Sequence, residues 1–251
     1  MQQTTDLYLR RLCRSLTANG VAQVGYSHLA AVLPPRYAGL PWGISLVFRL
    51  STAVVDEILT VKDTPSPTFS YFQHYRAVNA FLDQQTLWLC TMLERRGYRA
   101  LPVPASQSVK DMGPYSGIFP HKTAAVLAGL GWIGKSALFV SPEFGPRVRL
   151  ATVLTDMPLP VAHNRVPNGC HGCRACADAC PAGAISGQDY QPGAPRSTLL
   201  DPQACSEHMK RAYRDIGRGA VCGICMAVCP YGKQRPALQD KPVATGRTQT
   251  E

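Results

Sequence analysis

The sequence predicts a mixed α/β core followed by a smaller cysteine-rich domain. Three observations carry this. Helical and extended signals are interspersed over the first 160 residues or so. At PLPVAHNRVPNG the composition shifts to turn-forming residues. Eight of the ten cysteines then fall after residue 169. The expected domains are therefore 1–160 and 161–235, with a disordered tail over 236–251, where PALQDKPVATGRTQTE lacks periodicity.

Each element has its own signal. Leu9, Leu12, Cys13 and Leu16 recur at helical spacing over residues 5–19, and Gly20 stands where a helix ends. GISLVFRL (43–50) reads as a buried strand. Ser70 and Gln73 suit a capping box for a long helix with Val78, Phe81, Leu82, Leu89, Met92 and Leu93 on its apolar face. Gly97 ends that helix, and YRALPV (98–103) follows as a short strand kept near a sheet edge by Pro102. HKTAAVLA (121–128) is helical, whereas ALFV (137–140) and VRLATVLTD (148–156) are extended.

Composition excludes some classes. No run of about 18 apolar residues exists, so no membrane span is expected. Arg10-Arg11 has no apolar segment behind it, and the chain reads as cytoplasmic. The formal charge is +10, but the basic residues are scattered rather than in a run. Cysteines clustered in a chain without a leader point to metal rather than disulfides.

CHGCRACADACP spaces Cys170, Cys173, Cys176 and Cys180 as C-x2-C-x2-C-x3-C-P, the bacterial ferredoxin run for a [4Fe–4S] cluster. Its fourth cysteine belongs to a second cluster. CGICMAVCP repeats the last three cysteines as Cys222, Cys225 and Cys229, and Gly219 stands where the first would fall. Cys205 is the remaining cysteine nearby. Exchange of fourth ligands gives one cluster on Cys170, Cys173, Cys176 and Cys229, and another on Cys180, Cys205, Cys222 and Cys225. Zinc held by the same thiolates is the rival, although zinc does not require this order. Cys13 and Cys90 lie on apolar helix faces as core thiols, and His171 and His208 are left as outer-shell or surface residues.

GLGWIGKS, Gly129 to Ser136, matches both the dinucleotide fingerprint and the P-loop. Both motifs need a strand before the loop and a helix after it. Here a helix precedes and a strand follows. Asp156, at the distance of a ribose-binding or Walker-B acid, keeps a nucleotide reading open.

AGLGWIGKSALFVSPEFGPRVRLATVLTDMPL together with CHGCRACADACP and CGICMAVCP resembles epoxyqueuosine reductase, a family related to the reductive dehalogenases. The resemblance is strong from Tyr115 to Pro230 and looser from Arg36 to Ser106. It implies a nitroreductase-like α/β cobalamin domain, a ferredoxin-like double-cluster domain, two [4Fe–4S] clusters and base-off cobalamin with no protein histidine on cobalt. It implies that Lys122, Gly129, Gly131, Trp132, Gly134 and Lys135 bind the corrinoid.

The chain departs from that family in two ways. The family's proton-donating aspartate is replaced by Tyr115, unless the alignment slips to Asp111. The dehalogenases use a tyrosine, and a phenol with a pKa of about 10 can donate while neutral. An ordinary loop tyrosine is the rival reading. His121 and Lys122 replace a Glu-Arg or Glu-Lys pair. The chain also stops soon after the last cysteine, as a short form without the C-terminal helical-repeat extension that helps hold tRNA. Two clusters at roughly −2 each would also reduce the net charge to about +6, which weakens a tRNA role.

The expected function is a cobalamin-dependent iron–sulfur reductase. It would be fed by a low-potential donor such as ferredoxin or flavodoxin and act on a small-molecule or modified-nucleoside substrate. The rivals are an electron carrier that reduces a partner's corrinoid, a nucleotide-dependent enzyme built on GLGWIGKS, and a cluster protein that binds no corrinoid.

Overall fold

The computed structural model describes residues 2–106, 108–161 and 165–233. The tail expected to be disordered lies outside them. Gln2–Ala18 forms helix α1, and Gly20 closes it at φ +96°. Strands β1 (Gln23–His28) and β2 (Trp42–Arg49) follow, then helices α2 (Thr52–Thr60) and α3 (Phe69–Glu94). Strand β3 (Ala100–Val103) leads through a loop to helix α4 (His121–Leu127). The two-residue strands β4 (Trp132–Ile133) and β5 (Phe139–Val140) precede β6 (Val148–Thr155). Short helices α5 (Ala175–Asp178), α6 (Pro202–Ala212) and α7 (Ile224–Ala227) carry the cysteine segment.

The main sheet is antiparallel, in the order β1-β2-β6-β3. Its two central strands are apolar on both faces, as double burial requires. Ile44, Leu46, Ala151 and Val153 face one core with Leu9, Leu12 and Leu16 of α1 and Val78, Leu82 and Leu89 of α3. Val221, Ile224, Met226 and Ala227 join that same core, which roots the cysteine segment in the α/β layer. Val47, Val148 and Leu150 pack with Ala125 of α4 and Phe139 on the other face.

Strand β3 sits at the edge, where Pro102 removes no central ladder bond. Asp156 Oδ1 accepts from Arg99 N at 2.8 Å and fixes the entry to β3. It therefore serves the sheet edge. The cap of α3 is Thr68, whose hydroxyl accepts from Tyr71 N, rather than Ser70. The expected ALFV strand shortens to Phe139–Val140 and pairs with Trp132–Ile133 of the glycine loop itself. The order helix, loop, hairpin is neither a P-loop nor a dinucleotide fold. Among the described residues no helix is long and apolar enough to cross a membrane.

Candidate metal centre

The eight C-terminal cysteines gather in two groups. Burial first, then the thiols of Cys170, Cys176 and Cys173, push Cys229 up to about 11. Burial, then Cys222, Cys205 and Cys180, raise Cys225. Cys222 rises to about 11 by burial, with Cys205 and Cys180 adding to it. Cys180, which follows the first run, thus stands among the second group, and Cys229 of the second run stands among the first.

Cys180, Cys205, Cys222 and Cys225 all line one cavity of about 200 Å³. The α/β layer supplies Tyr71, Tyr75, Ser136 and Leu138 to its wall. Asp201 caps α6 by accepting from Gln203 N and Ala204 N, with Pro202 in its first turn, and so aims Cys205 inward. Backbone N–H groups offset part of the rise: Ile224 at Cys222, Tyr231 at Cys229, and Cys176 and Ala177 at Cys176. Such donors favour thiolate.

Among the described residues no three His, Cys, Asp or Glu side chains converge on a single metal ion. Two orphaned N–H donors suit sulfur acceptors. Trp132 Nε1 and His208 Nε2 are buried with no hydrogen-bond partner among the described residues. His208 lines the cavity of the second group, in keeping with the outer-shell alternative for it rather than the surface one.

The glycine loop embraces the first group. A Cβ on Gly134 would meet Cys170 Sγ at 3.3 Å and Val140 Cγ2 at 2.9 Å. The Trp132 ring packs edge-on against Tyr231, with centroids 5.1 Å apart, and a Cβ on Gly169 would meet Trp132 at 3.0 Å. Lys135 Nζ donates to His171 O at 2.6 Å and lies 3.9 Å from Asp189 Oδ2. A Cβ on Gly131 would meet Val140 O at 2.1 Å. Lys122 Nζ donates to Ala137 O at 2.5 Å, and Gly129 holds the left-handed turn after α4 at φ +71°. The side chains expected at a corrin edge are thus engaged by protein. No step is derived through a corrinoid.

Tyr115 sits in a left-handed conformation at φ +57°, 40% exposed. Arg196 Nη1 donates to its carbonyl at 3.0 Å. Burial, then the same guanidinium, lowers Lys122 to about 8. Arg196 also acts to lower the Cys205 thiol, against the larger effect of burial. Arg196 is thus bonded to the Tyr115 backbone, with Lys122 and Cys205 within reach of its charge. Nothing in its sequence surroundings singled it out. Asp111 lies exposed in the same loop. His121 is locked between Thr152 Oγ1 at 2.9 Å and Pro104 O at 3.0 Å, and burial lowers it to about 4.

Residues 169–232 match the family described as a 4Fe-4S double cluster binding domain. The chain is 32% identical over 163 residues to tetrachloroethene reductive dehalogenase of Sulfurospirillum multivorans, covering 61% of this chain and 30% of that protein. It is 32% identical over 142 residues to epoxyqueuosine reductase of Bacillus cereus, covering 53% and 34%.

Over these segments the chain is similar to reductive dehalogenases and to epoxyqueuosine reductases.

It spans about a third of the length of these curated relatives. Among solved structures, an epoxyqueuosine reductase with a modified tRNA-Tyr stem loop aligns at TM-score 0.58 and 18% identity, covering 92% of this chain and 66% of that one. A reductive dehalogenase, described as suggesting a mechanism for B12-dependent dehalogenation, aligns at TM-score 0.60 and 20% identity, covering 87% and 30%. The chain thus has the α/β fold that these structures share, followed by the segment that matches the double-cluster domain.

Proposed function

We propose that the chain is an iron–sulfur reductase. Its α/β unit (1–160) would receive single electrons from two [4Fe–4S] clusters in the unit that follows (161–235). One cluster rests on Cys170, Cys173, Cys176 and Cys229, the other on Cys180, Cys205, Cys222 and Cys225. The observation that carries the reading is the cavity enclosed by the second four, because its far wall belongs to α3 and the glycine-loop hairpin. An electron on that cluster already lies against the other unit.

Tyr115, Lys122 and Arg196 mark where an electrophilic substrate would be reduced. Its reduction would take two electrons, passed singly from the clusters, and two protons, one from Tyr115 and one from solvent. Tyr115 is the proposed proton donor, with Lys122 and Arg196 polarising it. A low-potential ferredoxin or flavodoxin suits as donor, since the clusters gain one electron at a time. The tRNA stem loop belongs to the neighbouring enzyme. Here it supports a modified nucleoside as one substrate class, beside small electrophiles.

A corrinoid between cluster and substrate is a second reading, favoured by the likeness to the B12-dependent dehalogenase. Anaerobic reconstitution with iron and sulfide tests the first reading. About eight irons per chain and charge-transfer absorption are expected. Four zinc-like sulfurs per ion without that absorption overturn it. Added cobalamin that elutes free of the protein removes the corrinoid reading and leaves the cluster reading standing.

A further inference from the structure

We propose that His208 hydrogen-bonds through Nε2–H to a sulfur of the cluster on Cys180, Cys205, Cys222 and Cys225, and so raises that cluster's reduction potential. The inference rests on the two-cluster reading. His208 follows Cys205 by three residues on α6, so both side chains share one helix face. Both line the same cavity. His208 Nε2 is buried and has no partner among the described residues. Leaving a buried ring nitrogen unpaired costs stability, so such an atom calls for an acceptor. The neighbouring wall offers few: Ile185, Leu200, Val221 and Ile224 are apolar, and the Tyr75 hydroxyl already pairs with Ser106 Oγ at 2.7 Å. Tyr213 stands edge-on to the imidazole, with centroids 5.4 Å apart at 76°, and packs against its side. Cluster sulfurs are the acceptors that this cavity would bring within reach.

The consequence is thermodynamic. Reduction adds one electron from the donor, and the added charge spreads over the sulfurs. No bond breaks, and the proton stays on nitrogen. An N–H aimed at sulfur stabilises the reduced state more than the oxidised one. His208 is thus a positioning group for charge, acting on the cluster alone.

Redox titration of the reconstituted protein, followed by electron paramagnetic resonance, tests this. In His208→Phe one of the two midpoints should move to more negative potential while the other stays. His208→Gln, which keeps an N–H donor, should recover part of the shift. Wild-type protein grown on nitrogen-15 histidine should show weak nitrogen coupling to one reduced cluster, absent in His208→Phe. Unchanged midpoints, or no coupling in the wild type, overturn the proposal. Loss of half the iron in His208→Phe also overturns it, since His208 would then hold the cluster rather than tune it. If the wild type takes up no cluster iron, the two-cluster reading itself falls, and this proposal with it.

Discussion

Lys135 Nζ donates to the carbonyl of His171 at 2.6 Å, so the lysine of the glycine loop is bonded to backbone between Cys170 and Cys173. The lysine side chain is only 9% exposed. A charge-assisted bond of this kind contributes about 2 kcal/mol. Lys135→Met keeps the stem and removes the donor. It should lower the denaturation midpoint and speed loss of iron to a chelator, with the first cluster released before the second. Equal release from both would separate Lys135 from the first cluster.

Gly131 faces Val140 O across the β4–β5 hairpin, with no room for a side chain. Gly131→Ala forces the two strands apart, at about 3 kcal/mol. Gly97→Ala is the control: a Cβ there meets nothing within 4 Å, and the penalty comes only from φ +83°. Urea unfolding of both variants should rank Gly131→Ala as the more damaging.

Arg147 and Asp56 form an asymmetric pair, 2.7 Å apart, with the guanidinium 2% exposed and the carboxylate 47%. Arg147 also donates to Ala227 O of α7 at 3.3 Å. Asp56→Asn strands a buried cation, whereas Arg147→Met strands only a carboxylate that water reaches. The first should therefore cost more, about 3 kcal/mol. Thermal unfolding of the two variants checks the order.

Two adjacent residues should leave marks of the same sign, in separate windows, on pH-dependent stability. His121 titrates at about 4 in the fold, below its ordinary 6.5. The unfolded chain takes up a proton first as pH falls, so stability is lost from 6.5 down to 4. Lys122 titrates at about 8 rather than 10.5. The unfolded chain holds its proton longer as pH rises, so stability is gained from 8 to 10.5. Lys122→Met should flatten the second window relative to wild type and leave the first intact. Unfolding midpoints across both ranges read this out.

Tyr115→Phe should reduce turnover of an accepted substrate by about 100-fold while leaving cluster reduction by dithionite unchanged. Unchanged turnover would pass the donor role to Lys122, beside the same guanidinium.

The cysteine segment was the most legible part of the chain, because ligand spacing is local and chemically strict. The expected exchange of Cys180 and Cys229 between clusters rests on the same strictness. Strand β1, QVGYSH, was not, since its pairing with β2 overrides a weak alternation. The α3 cap went to Thr68 rather than Ser70 because several residues in SPTFS can cap, and only tertiary docking selects one. Tyr71 and Tyr75 looked like ordinary helix positions, because nothing local announces that a metal site will be built against them. The order of helix, loop and strand around GLGWIGKS was legible, whereas the closeness of Gly134 to Cys170, 36 residues on, was not.

The hairpin of residues 132–140 also has a consequence for how the protein is made. Its partners, the segments around Cys170 and Tyr231, leave the ribosome after it does. Until they arrive, Trp132 has no cover from that side, and the newborn chain carries an exposed indole that chaperones can recognise. Metal held by the cysteines would then help to keep the late segments over the early one. Cells starved of iron should accumulate this protein in chaperone complexes and degrade it, rather than store an empty form.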